Sequence, residues 1–263
     1  MSVGAEMRSR QVDANGISVR YLESGPPDAR HPLLFLHGGT GTAERHWSAQ
    51  LEDLGTLGYR CLAPDHRGHG GTANDRDGLD QGLMAEDQSA FLRRLGVERA
   101  HVVGFSIGGV IALYLALAHP DQVASITAIG SHMTIDEHVL ASNATVEPST
   151  IEREAPDWAA QLTELHGVHY GADHWRALCG WLIETWGRQP DWSEADLGQV
   201  NARALIGRGE FDDRVTQAQV DRMAAAIPDA RTFVVGGVGH FFHHSGTGRE
   251  ALHRELTGFL PQP

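Results

Sequence analysis

Cysteine, positive charge and long apolar runs are all scarce in this chain. Of 263 residues, only Cys61 and Cys179 are cysteines. Cys61 falls in a strand-like run and Cys179 in a helical one far along the chain. Two buried free thiols in a reducing compartment are therefore expected, not a disulfide framework. Lysine and arginine together number 21 against 34 aspartates and glutamates, giving a formal net charge of −13. Such an excess works against nucleic acid and anionic membrane surfaces, and neither is expected as a partner. The most apolar stretch, Val102 to Ala118, is too short and too glycine-rich for a membrane span. Met1 to Gln11 is polar and lacks the apolar core of a secretory signal, so a soluble, cytoplasmic protein is the expectation. Repeats and low-complexity tracts are also missing.

What is present is an ordinary apolar content of 41%, ample for a sizeable core. Sixteen histidines mean that no single histidine is informative without its surroundings. The most telling stretch is Val102-Val103-Gly104-Phe105-Ser106-Ile107-Gly108-Gly109-Val110. An apolar strand runs into Gly-x-Ser-x-Gly-Gly, and an apolar helix-forming segment follows. A serine between strand and helix sits on a sharp, strained turn with its hydroxyl exposed at the sheet's C-terminal edge. Gly104, Gly108 and Gly109 let strand and helix pass closely, and the first helical N–H groups face charge developing beside Ser106.

Around this turn the chain alternates. Val12 to Leu22 reads as a hairpin turning at Asn15-Gly16. Pro32 to Leu36 is a short apolar strand, a helix is predicted over Trp47 to Leu57, and Tyr59 to Pro64 is the next strand. A helix from about Leu79 to Leu95 leads to the strand carrying Ser106, and Val123 to Ile129 is another strand. This alternation predicts a parallel sheet with right-handed crossovers. From His132 to about Leu197 no strand pattern appears, and five of the six tryptophans fall there: Trp158, Trp175, Trp181, Trp186 and Trp192. Trp175, Leu178, Leu182, Thr185 and Trp186 recur at helical spacing, which predicts a mostly helical insertion acting as an apolar lid. Strand and helix then resume over Arg203 to Gly207, Gln217 to Ile227, Arg231 to Val235 and a last helix ending near Leu260.

A serine hydroxyl needs a base, an imidazole suits that task, and a carboxylate must fix the imidazole's tautomer. Asp212 follows the strand at 203–207 and His240 follows the strand at 231–235, both on the edge that carries Ser106. Catalytic roles are accordingly expected for Ser106, Asp212 and His240. Glu210 is the alternative acid, and Asp213 reads as a solvated neighbour of Arg214. His243 and His244 are nearby rivals to His240, expected to begin a surface segment. An oxyanion hole needs two N–H donors; Ile107 supplies one, and Gly39 of His37-Gly38-Gly39-Thr40 the other, with Thr40 as the alternative. No phosphate-loop lysine follows those glycines, and His37 reads as a structural hydrogen-bonder. His66 and His69 stand alone among turn glycines, so no metal site is expected, and the chemistry requires no cofactor. Arg67 in the same loop is expected to pair with a carboxylate or carbonyls.

Together, His37-Gly38-Gly39, Asp65-x-Arg67-Gly68-x-Gly70, Gly104-x-Ser106-x-Gly108-Gly109, Gly209-x-x-Asp212 and Gly239-His240 resemble the α/β-hydrolase superfamily. The resemblance implies an eight-stranded, mostly parallel sheet flanked by helices. It also implies a core formed by 1–131 and 196–263 and a helical cap, 132–195, inserted after strand six. The segment Tyr170 to Trp175, with Trp181, Trp186 and Val200 to Leu205, is similar to valacyclovirase-like esterases. Those carry an acidic residue directly after the nucleophile to hold a substrate amine. Ile107 stands there in this chain, which favours an uncharged or apolar acyl group. Gly209 to Asp212 is similar to proline iminopeptidases, and the whole core to enol-lactonases and carbon–carbon bond hydrolases. The activity implied is hydrolysis of a small carboxylic ester, thioester or lactone through an acyl-enzyme on Ser106. Carbon–carbon or amide cleavage by the same residues is the alternative, and a non-catalytic ligand-binding protein is the alternative of another class. The oligomeric state is not legible.

Overall fold

A computed structural model describes residues 6–30, 32–244 and 246–263; the first five residues of the polar N-terminal segment lie outside them. The hairpin forms as its sequence dictates. Strands β1 (Arg8–Ala14) and β2 (Ile17–Ser24) pair antiparallel through a turn at Asn15 and Gly16, both at positive φ. Two such residues in succession give the turn whose twist matches the strands it joins.

Next come β3 (Leu33–Leu36), α1 (Ala43–Thr56), β4 (Cys61–Pro64), α2 (Gln81–Arg94), β5 (Ala100–Phe105), α3 (Ile107–Ala118) and β6 (Val123–Ile129). Helix α1 starts four residues earlier than its apolar pattern predicts, because the Thr42 side chain accepts from Arg45 N–H and caps the first turn. Between β6 and the next strand the chain is helical: α4 (Glu137–Asn143), α5 (Pro148–Glu154), α6 (Pro156–Tyr170), α7 (His174–Trp186) and α8 (Glu194–Leu197). The chain then returns to the sheet with β7 (Arg203–Gly209), α9 (Gln217–Ala226), β8 (Ala230–Val235) and α10 (Gly246–Phe259).

The eight strands lie in the order β1-β2-β4-β3-β5-β6-β7-β8, antiparallel at the hairpin end and parallel from β4 onward. Strands β3, β4 and β5 are buried along their whole length, as expected where helices cover both faces. One face packs Met84, Phe91, Val110, Ile111, Val220 and Met223 from α2, α3 and α9. The other packs Trp47, Leu51, Leu54, Leu252, Leu256 and Phe259 from α1 and α10. Both cysteines are free and buried, which pushes each thiol up to about 12. Among the described residues no helix is long and apolar enough to cross a membrane.

The inserted helices have a small core of their own, made by Ile151, Leu162, Trp175 and Cys179. They are tied to the sheet through the loop after β4. His166 accepts from Gly70 N–H through Nδ1, and its Nε2 faces Thr40 O. His169 and His174 face the carbonyls of Gly71 and Gly68, and the Tyr170 hydroxyl meets the backbone of Asn74. The same loop is fixed from below by Arg67, whose guanidinium grips both oxygens of Asp87 at 2.6 and 2.7 Å and reaches Asp75 at 2.9 Å.

Candidate active site

Ser106 has φ 54° and ψ −121°, and apart from Asn15 it is the one non-glycine residue at positive φ among those described. Holding a side chain there costs on the order of 1–3 kcal/mol, so the surroundings must enforce it. They do so through backbone contact. A Cβ on Gly104 would lie 2.2 Å from Gly108 O, and one on Gly108 would lie 2.1 Å from Leu36 O. Ser106 N–H donates to Ile129 O at 2.8 Å, and the Ser131 hydroxyl donates to Ser106 O at 2.8 Å. The turn is thus wedged between β3, β6 and the start of α3.

His240 and Asp212 meet from the neighbouring loops. The His240 Nδ1 lies 3.0 and 2.9 Å from the two Asp212 carboxylate oxygens, and both side chains are buried. Oδ1 of Asp212 also accepts from the backbone N–H groups of Arg214 and Val215, both at 2.9 Å. Burial works against the Asp212 charge, but the imidazole and the two amides outweigh it and hold its pKa below the usual value. With Nδ1 against a carboxylate, the ring's proton sits on Nδ1 and Nε2 carries the lone pair. His240 and Ser106 line one small cavity of about 30 Å³, together with Ile107, Trp186 and Val215. Glu210 takes a different partner, accepting from Gly237 N–H at 2.7 Å, and it is exposed.

The loop holding Gly39 leaves β3 beside the serine turn, because Leu36 pairs with Gly104 in the sheet. Ile107 is the first residue of α3, so its N–H lacks a partner within the helix. A Cβ on Gly39 would sit 2.4 Å from Trp186, so the ring packs directly on that backbone. Gly39 O faces His69 Nε2 at 2.6 Å. Thr40 instead lines a separate, larger cavity. His37 is wholly buried: its Nε2 accepts from His66 N–H, and its Nδ1 faces Gly38 O. Burial holds its pKa well below normal, so it is a neutral scaffold group.

One expectation fails. His243 and His244 do not begin a surface segment. Phe242 to His244 form a single tight helical turn that tucks His243 beneath Trp47 and Phe105, with ring centroids 4.9 and 4.1 Å away. His243 is fully buried, and its pKa is driven well below normal by loss of water. His46, His243 and His244 each bring a ring nitrogen within 4.8 Å of the others. His46 Nδ1 already accepts from Gly38 N–H at 3.0 Å, which leaves Nε2 protonated and without a lone pair for a metal.

Several groups at the site escaped the sequence reading. His46 clamps the Gly38 amide, and an earlier start for α1 would have turned it toward that loop. Ser131 pins the serine's carbonyl. His132 lines the serine's cavity with Nε2 unpartnered among the described residues, and burial lowers its pKa to about 4. Of the five tryptophans in the insertion, Trp186 reaches the serine's cavity and Trp158 the larger one. Trp175 fills the insertion's own core, Trp192 packs at a tilt against Tyr114 with ring centroids 4.5 Å apart, and Trp181 donates to Asp77.

The sequence profile described as alpha/beta hydrolase fold matches residues 31–171. Epoxide hydrolase A of Mycobacterium tuberculosis is 35% identical over 122 residues, 46% of this chain, which spans only 37% of that protein's length. The putative carbamate hydrolase RutD of a Caulobacter species is 33% identical over 258 residues, 90% of this chain and 93% of that one. Among solved structures, the N-acyl homoserine lactone degrading enzyme Est816 superposes with a TM-score of 0.73 at 26% identity, covering 95% of this chain and 100% of that one.

Proposed function

Because this chain belongs to the alpha/beta hydrolase family, we propose that it is a serine hydrolase cleaving a small carboxylic ester, thioester or lactone. The observation that carries this reading is a serine held at positive φ in the same cavity as His240, whose Nδ1 lies between both oxygens of buried Asp212. Ser106 Oγ attacks the carbonyl carbon as His240 Nε2 takes its proton. Asp212 keeps the ring's other proton on Nδ1 and balances the imidazolium that forms. The N–H groups of Ile107 and Gly39 receive the oxyanion; one such donor is worth about 2.7–4 kcal/mol in the transition state. His240 returns the proton to the leaving oxygen, or to sulfur in a thioester. Water, deprotonated by His240, then attacks the acyl-enzyme, and the proton passes to Ser106 Oγ as the carboxylic acid leaves.

Residues 132–195 act as the lid, with Trp186 closing the serine's cavity. That cavity is about 30 Å³ and is lined by Ile107, Val139 and Val215 beside His132, Ser142 and Arg214. Its size supports a small acyl group, and Ile107 in place of an acid directly after the nucleophile supports an uncharged one. Carbamates join esters, thioesters and lactones in the substrate panel, since a relative matched over nearly its full length is named a putative carbamate hydrolase. The test is turnover of p-nitrophenyl acetate by the wild type and by Ser106→Ala. Loss of at least about 10³ in kcat in the variant is expected from removal of the nucleophile, and equal rates would remove the mechanism.

A further inference from the structure

A second chamber adjoins the serine's cavity, with Arg214 in the walls of both. It measures about 390 Å³, within the range of small-ligand sites. Its polar lining is Thr40, Arg45, Gln161 and Arg214, and its apolar lining is Trp158, Leu165 and Phe241. Core and lid both contribute, since Trp158, Gln161 and Leu165 come from α6. His46 and His244 complete the wall, and burial holds both rings neutral.

Two arginines line the chamber, and their charge is not neutralised from within it. Among the described residues no carboxylate lines it. Neither Arg45 nor Arg214 comes within ion-pair distance of an Asp or Glu among those residues, whereas Arg67, beside Asp87, is tied to carboxylates on two sides. Arg214 is half-buried, donates to Thr145 Oγ1 at 3.1 Å and lies 5.8 Å from the Phe241 ring. Its nearest acids, Asp212 and Asp213, make no direct ion pair with it and do not line the chamber. Asp212 is committed to His240 and two amides, and Asp213 is exposed and lines, with Arg214, a third groove outside the chamber; both carboxylates act on the Arg214 charge through space. What sets these two apart is that both face one chamber that no carboxylate lines, which leaves its wall net positive in a chain of net charge −13.

The two cavities meet at Arg214, which lines both. They also meet across His240 and Phe241, adjacent residues whose rings are 5.1 Å apart. His240 is the group that hands its proton to the leaving oxygen, so the side of the substrate that enters here is the leaving group.

We propose that Arg45 and Arg214 form a subsite for a carboxylate on the leaving group, so that the preferred substrates are esters of hydroxy acids. The inference rests on the serine-hydrolase reading and adds the substrate class. A guanidinium presents two parallel N–H donors that match a carboxylate, and Trp158, Leu165 and Phe241 take the carbon frame between carboxylate and ester.

The test compares kcat/KM for three acetate esters: 4-acetoxybenzoate, its methyl ester, and 4-acetoxyphenyl phosphate. The expected result is that wild type prefers 4-acetoxybenzoate over the methyl ester by about tenfold or more, the effect of one charge-assisted hydrogen bond. In Arg45→Gln and Arg214→Gln that ratio falls several-fold, and in the double variant it drops to one or below. The ratio is measured within each variant, so a partly folded preparation does not disguise it. Arg45 is exposed, so Arg45→Gln tests the subsite even where Arg214→Gln fails to fold. Wild-type turnover of the methyl ester with no carboxylate advantage, or an advantage kept by the double variant, overturns the subsite alone. Preference for the phosphate ester over 4-acetoxybenzoate overturns its assignment to carboxylates. No turnover of any ester, together with no fluorophosphonate labelling of Ser106, overturns the hydrolase reading and the subsite with it.

Discussion

Replacing Asp212 with asparagine changes one atom, and the structure says how the change propagates. Oδ1 accepts from Arg214 and Val215 N–H, so the asparagine carbonyl must stay at that position to keep both amides satisfied. Its NH₂ then occupies the Oδ2 position, 2.9 Å from His240 Nδ1. The NH₂ at 2.9 Å and the carbonyl kept at 3.0 Å then compete for Nδ1, and the carbonyl already accepts from two amides. Nδ1 accepts from the NH₂, so the ring's proton moves to Nε2, where the serine's proton was to be received. The imidazole becomes the wrong tautomer for a base. A change of this kind lowers kcat by about 10⁴, or roughly 5 kcal/mol of barrier. Stability should move far less, by about 1–2 kcal/mol, because both backbone amides keep their acceptor. The assay is steady-state hydrolysis of p-nitrophenyl acetate beside a denaturant melt of the same preparation. Retention of more than about a tenth of wild-type kcat, in a folded variant, would refute the tautomer argument.

Gly130 supplies a second perturbation from a different direction. It has φ 57°, and an added Cβ would lie 2.9 Å from His240 Cε1 and 3.3 Å from Asp212 Oδ2. Gly130→Ala should lower kcat by about 100-fold, the scale expected from displacing a reacting group by an ångström. Gly16→Ala, at φ 79° with open space around it, should cost only about 1 kcal/mol of stability and leave kcat unchanged; kinetics and melts on both variants check the contrast. A third prediction concerns acid. Burial holds His37, His46 and His243 well below the normal histidine range, His66 and His166 at about 3, and His132 at about 4. The unfolded chain therefore binds protons below about pH 6.5 that the folded chain refuses. These rings leave stability untouched above that pH and reduce it as pH falls toward each folded pKa, each by up to about 1.4 kcal/mol per pH unit. Asp212, depressed, weakens the fold only at lower pH, as it protonates below the normal aspartate range. Urea unfolding at pH 8, 6 and 5 should show a steep fall between the last two, and a flat profile would contradict neutral burial of these rings.

Much of the fold was legible because its signals are local. Asn15-Gly16 fixes the hairpin, the short apolar runs fix the strands covered on both faces, and the glycines around Ser106 fix the turn. The strand over Val123–Ile129 has the bounds that its apolar run predicts. What could not be read depends on packing between distant segments. Nothing near His243 in sequence says that Trp47 and Phe105 will cover it. The clamp of His46 on Gly38 appears only once Thr42 caps the helix. Arg45 and Arg214 are 169 positions apart and become one feature only where α6 meets the start of α1 and the loop after β7 around one chamber. The tryptophans show the same limit: their clustering marked the insertion, but only the fold separates Trp186, at the serine's cavity, from Trp175, inside the insertion's own core.

The central claim, that the acyl group passes through Ser106, is tested most directly by stopping p-nitrophenyl acetate turnover with acid and mapping the protein by peptide mass spectrometry. One acetyl group per chain, on the peptide carrying Ser106 and matched by a stoichiometric burst of p-nitrophenol, is the predicted result. Acetylation at another residue, or undiminished turnover by Ser106→Ala, would contradict it.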